Sequence, residues 1–130
     1  MSSIANATGI GKAARAVTVG PAPDRSTAMM VVVFRARRSP EGEGALYKEH
    51  LDRMVALATK MPGYVSHKAY IAEDGERLTF FQWETAETLR AWATHPDHVA
   101  TKKFGRQHFY AEYHLQVCEV VRESTFTRPA

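Results

Sequence analysis

Residues 29–37 read Met-Met-Val-Val-Val-Phe-Arg-Ala-Arg. β-Branched side chains crowd this run and both parities are apolar at its centre, which predicts a strand covered on both faces. Pro40, Gly42 and Gly44 then supply a turn. Over residues 45–61 the hydrophobic period becomes helical. With Met54 as reference, Tyr47, His50, Leu51, Leu57, Ala58 and Met61 share one stripe, and Lys48, Glu49, Asp52, Arg53 and Lys60 fall mainly outside it. Met61-Pro62-Gly63 stops this helix. Two strands follow, 64–72 and 77–84, joined by Glu73-Asp74-Gly75-Glu76, where Asp-Gly is a hairpin signal. Thr85 is placed to cap a second helix over 86–94, with Leu89, Trp92 and Ala93 on its apolar side. His95-Pro96-Asp97 reads as a break and restart, because proline suits a first helical turn. A third helix is expected to run to about residue 110. A last strand is expected over 113–122, anchored by Leu115, Val117, Val120 and Val121.

Strand, helix, strand, strand, helices, strand is the ferredoxin-like βαββαβ order, an α+β fold with helices on one face of an antiparallel sheet. Bulky apolar residues are expected on the other face too, and one domain cannot cover them. A patch of that kind marks an interface, so two sheets packed face to face, related by a two-fold axis, are expected.

Residues 1–27 have a different composition. They are rich in Ala, Gly, Ser and Thr, and Pro21 and Pro23 break the chain after them. They read as an N-terminal arm, residues 28–123 as one domain and residues 124–130 as a polar tail. The formal net charge is +3 with basic residues spread along the chain, which does not suit a nucleic-acid binder. The longest apolar run is far too short to span a membrane. The one cysteine, Cys118, cannot form an intrachain disulfide, so a reducing, cytoplasmic setting is expected.

Met61-Pro-Gly-Tyr, Glu-Asp-Gly-Glu at 73–76, Phe-Gln-Trp-Glu at 81–84, Leu-Arg-Ala-Trp at 89–92, His-Pro-Asp-His at 95–98 and Gly-Arg-Gln-His-Phe-Tyr at 105–110 resemble the antibiotic biosynthesis monooxygenase family. The resemblance spans about residues 28–123. It implies a dimeric α+β barrel with a pocket in each protomer between helices and sheet, near Trp92. The activity it implies is oxygenation of a polyketide-type phenol or quinol by O2 without a cofactor or metal. A heme-degrading branch uses an asparagine on the first strand and a histidine on the third helix. Phe34 and Lys102 stand at those positions, which sets this chain apart from that branch.

Such oxygenation needs a base to deprotonate the phenol, in an apolar site that excludes water. Histidine titrates near neutrality and fits that role. His50 lies within the apolar stripe of the first helix, as either a core-edge residue or the base. Trp92 is either core or a pocket wall against an aromatic ligand. His98 falls in the first turn of the third helix, where the helix dipole disfavours its charged form. His108 follows Phe104 by one turn and is directed toward the sheet. These four are the candidate site residues. The competing reading is a non-catalytic dimeric module that binds a small hydrophobic ligand or serves as a stress protein, with heme binding or degradation as a third reading. No P-loop, nucleophile elbow or zinc-ligand spacing is present.

Overall fold

A computed structural model describes residues 27–130; the expected N-terminal arm lies almost wholly outside them. The order is β1 (Met30–Arg38), a short 3-10 turn (Pro40–Glu43), α1 (Ala45–Ala58), β2 (Tyr64–Ile71), β3 (Arg77–Trp83), α2 (Ala86–Ala93), α3 (Pro96–His108) and β4 (Tyr110–Glu119). The four strands form one antiparallel sheet in the order β2-β3-β1-β4. This is the ferredoxin-like arrangement expected from the element order.

Alternation along the strands divides the side chains between two faces. Met30, Val32, Phe34, Ala36 and Arg38 of β1 share the helix-covered face with Phe81 and Trp83 of β3. The densest packing is there. Met30, Met54, Trp83 and Trp92 form one buried cluster, with Leu57, Met61, Tyr64 and Leu89 packed around it. Trp83 is only 1% exposed. The opposite face is less uniformly apolar than the sequence suggests. Val31, Val33, Leu78 and Phe80 make an apolar centre, beside Arg35, Gln82, His114 and Gln116 at neighbouring register positions.

The local signals act as their chemistry predicts. The Thr85 hydroxyl accepts from Thr88 N at 3.1 Å, and Thr88 Oγ1 accepts from Thr85 N at 3.2 Å, closing a reciprocal cap on α2. Pro96 opens α3, whose first turn is capped by His95 Nδ1 accepting from Asp97 N at 3.1 Å. Gly75 takes φ +89° in the β2–β3 hairpin. From β1, Arg37 reaches across to Asp74 of that hairpin at 2.7 Å.

Three elements differ from the sequence expectation by two residues or more. α1 ends at Ala58, three residues early, because Lys60 and Met61 bond back only three positions, to Leu57 and Ala58, in a tightened last turn. α3 ends at His108, and Tyr110 belongs to β4. β4 runs Tyr110–Glu119 where 113–122 was expected. Its earlier start follows from the β1 pairing, in which Tyr110 opposes Arg38 across a register shift and Ser39 N bonds Phe109 O at 2.8 Å.

Candidate functional site

The layer between helices and sheet is lined with aromatic and imidazole rings, and they fall into two groups. The first lies where α2 meets α3. The His98 ring stacks on Trp92 with centroids 4.3 Å apart and planes 14° apart, and Trp92 is itself parallel to Trp83 at 6.2 Å. His98 Nδ1 is 3.1 Å from the Trp92 carbonyl. A carbonyl only accepts, so Nδ1 carries the proton and Nε2 keeps its lone pair. Burial lowers the His98 pKa from 6.5 to about 4, with Lys102 and His95 adding to the effect and the carbonyl opposing it. The ring is therefore neutral near pH 7. The helix-end position expected to govern its charge matters less than its enclosure against Trp92.

The second group lies where α1 meets α3 and the start of β4. His50 stacks on Phe104 at 4.7 Å and 10°, and meets Phe109 edge-on at 5.3 Å. His108 packs on Phe104 at 4.3 Å, so that residue lies between two imidazoles. His108 Nδ1 is 3.4 Å from Glu41 Oε2. The aromatic row continues through Tyr47, Tyr110, Phe34 and Tyr113, with centroid spacings of 5.2–6.2 Å. Burial, reinforced by Tyr47, pushes the Tyr110 phenol up from its ordinary pKa.

His50 Nδ1 is buried without a hydrogen-bond partner among the described residues. A buried polar atom normally finds a partner, so an orphan one requires a reason. Beside this group the helices leave β4 uncovered. Leu115 and Val117 project from the helix-side face of β4 and are 46% and 53% exposed, forming an apolar strip open to solvent.

The structure thus pairs Trp92 with His98, and joins His50 to His108 through Phe104. The four expected residues do not surround one point. Trp92 is 6% exposed, and the space beneath it is filled by Trp83, Met30 and Met54. Of the two strand histidines, His67 lies on the helix side, bonded to Tyr64 Oη at 2.6 Å, and His114 lies opposite Arg35 on the far face. Arg38 is the functional candidate that sequence reasoning missed. The signal was there: it continues the inward parity of Met30, Val32, Phe34 and Ala36, which forces a guanidinium into the helix–sheet layer.

Among the described residues no group of His, Cys, Asp or Glu is arranged to hold a metal ion, and no helix is long and apolar enough to cross a membrane.

A four-stranded antiparallel sheet with three helices matches the ferredoxin-like α+β fold of the antibiotic biosynthesis monooxygenase family. Residues 29–103 match that family, and the chain belongs to it. It is 32% identical over 95 residues to the uncharacterized protein YqjZ of Bacillus subtilis (strain 168), covering 73% of this chain and 82% of that one. Solved structures share the fold at lower identity. Rv0793 from Mycobacterium tuberculosis superposes with a TM-score of 0.64 at 19% identity, over 75% of this chain and all of that one. SnoaB, a cofactor-independent oxygenase from Streptomyces nogalater, gives 0.58 at 17% identity, over 75% and 96%.

Proposed function

We propose that this protein is a cofactor-independent monooxygenase that oxidises an aromatic phenol or quinol with O2, as a homodimer in a reducing, cytoplasmic setting. The observation that carries the reading is the orphan Nδ1 of His50 within an aromatic layer. A substrate hydroxyl that reached it as the contact between α1 and α3 opened would give that nitrogen its missing partner. Taking the phenolic proton onto His50 leaves an electron-rich ring anion. The anion adds O2 at a ring carbon. The peroxide takes that proton back from His50, and the hydroperoxide, formed on a carbon that bears hydrogen, loses water to leave a quinone carbonyl, so one oxygen atom stays on the substrate and the other leaves as water. Phe104, Phe109 and the tyrosines supply flat apolar walls that limit water around the anion. Family membership and the shared fold with an oxygenase support this class of reaction. The dimer would form through the sheet face bearing Val31, Val33, Leu78 and Phe80, where two apolar centres could cover each other.

The test is oxygen consumption with naphthol- and anthrol-type substrates, without flavin or metal. The reading predicts uptake matched to quinone formation, with one atom of 18O2 in the product. A flat trace across a broad phenol panel would overturn it. The packing beneath Trp92 favours a second reading, a module that binds a hydrophobic ligand without turnover. Saturable ligand binding with that flat trace would select it.

A further inference from the structure

We propose that Arg38 is the anchor of a carboxylate-binding subsite at the mouth of the aromatic layer, and that the ligand it takes is an aromatic carboxylate. Arg38 ends β1 on the helix-covered side. Its side chain is only 17% exposed, and its guanidinium lies 3.8 Å from the centre of the Tyr47 ring. Despite this enclosure its Nε is fully buried without a hydrogen-bond partner among the described residues. A guanidinium carries five N–H donors, and leaving even the one at Nε unmet away from water is costly.

The nearby acid does not meet them. Glu43 Oε1 is 3.8 Å from Arg38 Nη1 and also 3.8 Å from Arg77 Nη2, too far for a hydrogen bond to either. Two guanidinium groups share one carboxylate, so this trio keeps a surplus positive charge. Lys48 adds no free charge, since Asp52 holds it at 2.8 Å.

Arg38 and Tyr47 line an open cavity of about 490 Å³ with Leu51 and the Gly44-Ala45 start of α1, and Glu43 and the Lys48–Asp52 pair stand at the same cavity. The cavity is large enough for a two-ring aromatic, which suits the 300–1,000 Å³ common for small-molecule sites. It offers an aromatic wall, an aliphatic wall and one under-used planar cation. A guanidinium matches a carboxylate through two parallel N–H···O bonds, which a spherical ammonium cannot imitate. Tyr47 also meets Phe109, which His50 touches edge-on. A ligand held by its carboxylate at Arg38 would thus lie at the edge of the ring cluster containing His50. The subsite deepens the oxygenase reading by naming an acidic aromatic as the substrate class, but binding there does not require turnover.

The test is calorimetric titration of the full chain with 2-naphthoate, under argon, beside its neutral counterpart 2-naphthol. Wild type should bind 2-naphthoate, and Arg38→Gln and Arg38→Lys should each weaken it at least tenfold. Arg35→Gln, on the opposite sheet face, should leave it unchanged. The affinity for 2-naphthol should not respond to Arg38→Gln. Should the Arg38 variants fail to fold, the Nε–H resonance of Arg38 in 15N spectra of wild type gives the same answer, and it should shift on adding 2-naphthoate. No binding of 2-naphthoate, equal binding by folded Arg38→Gln, or an unmoved Arg38 signal at saturation would each overturn the subsite. A flat oxygen trace together with Arg38-dependent binding would defeat the oxygenase reading and leave the subsite standing.

Discussion

The imidazole of His98 lies flat against the indole of Trp92 and is tied to the same residue's carbonyl through Nδ1. The side chain that opens α3 is thereby fixed to the last turn of α2. A short helix and its successor are joined across the His95-Pro96 break by one neutral ring.

That contact has a pH signature. Folded, His98 takes up its proton only near pH 4, whereas an unfolded histidine does so near 6.5. Between these values the unfolded chain binds more protons, so stability rises with pH. It should therefore be complete above about 6.5 and decline as the pH falls toward 4. His98→Phe keeps a flat ring on Trp92 but cannot titrate. Thermal melts followed by circular dichroism should show wild type losing more melting temperature than His98→Phe between pH 6.5 and 4. Parallel losses would argue that the ring is not neutral and enclosed in the folded state.

Gly63 and Gly75 separate two kinds of glycine requirement. Both have positive φ, 87° and 89°. A Cβ at Gly63 would also strike the Thr88 side chain, whereas one at Gly75 would meet nothing within 4 Å. Gly75→Ala should cost about 1–2 kcal/mol from the left-handed backbone alone. Gly63→Ala should cost clearly more, since it also displaces Thr88 and with it the α2 cap. Urea denaturation of the two variants provides the comparison, and equal losses would contradict the packing described around Thr88.

The proposed dimer rests on the sheet face away from the helices. Phe80 lies opposite Val33 in the middle of that face. Phe80→Glu should place a charge where two sheets meet while leaving the Trp83–Trp92 core untouched. Wild type is expected to sediment at near twice the 14.5 kDa chain mass, and Phe80→Glu near the single mass with its circular dichroism spectrum retained. A wild-type monomer at micromolar concentration would remove the dimer from the account.

The fold was legible in the sequence wherever a local signal had one physical meaning. Met30–Phe34 announced a buried strand, Thr85 and Pro96 announced helix starts, and Asp74-Gly75 announced the hairpin. The α3–β4 junction was hidden because Ala100, Phe104 and His108 keep a helical four-residue spacing right up to the end of α3, while β4 pairs only along one side, at the sheet edge. The site was legible in its residue types but not in its grouping. Periodicity places His50 and Trp92 on the inner faces of their helices; it does not say that His50 meets Phe104 or that His98 lies on Trp92. Those pairings depend on the angle and offset of α1, α2 and α3, which no single segment encodes. Arg38 was passed over because the expected strand stopped at residue 37; the observed strand includes it, and alternation then points it inward.

The role of His50 is the claim on which the functional account turns. Replacing it with Phe keeps an aromatic ring against Phe104 and removes the unpartnered nitrogen, so folding stability should be unchanged or slightly higher. The decisive measurement is oxygen uptake with an anthrol substrate by wild type and His50→Phe, each shown to be folded by its melting curve. The account predicts turnover in wild type and a loss of roughly 100-fold or more in His50→Phe, the scale of a removed general base. Wild-type turnover that persists undiminished in a well-folded His50→Phe would contradict it.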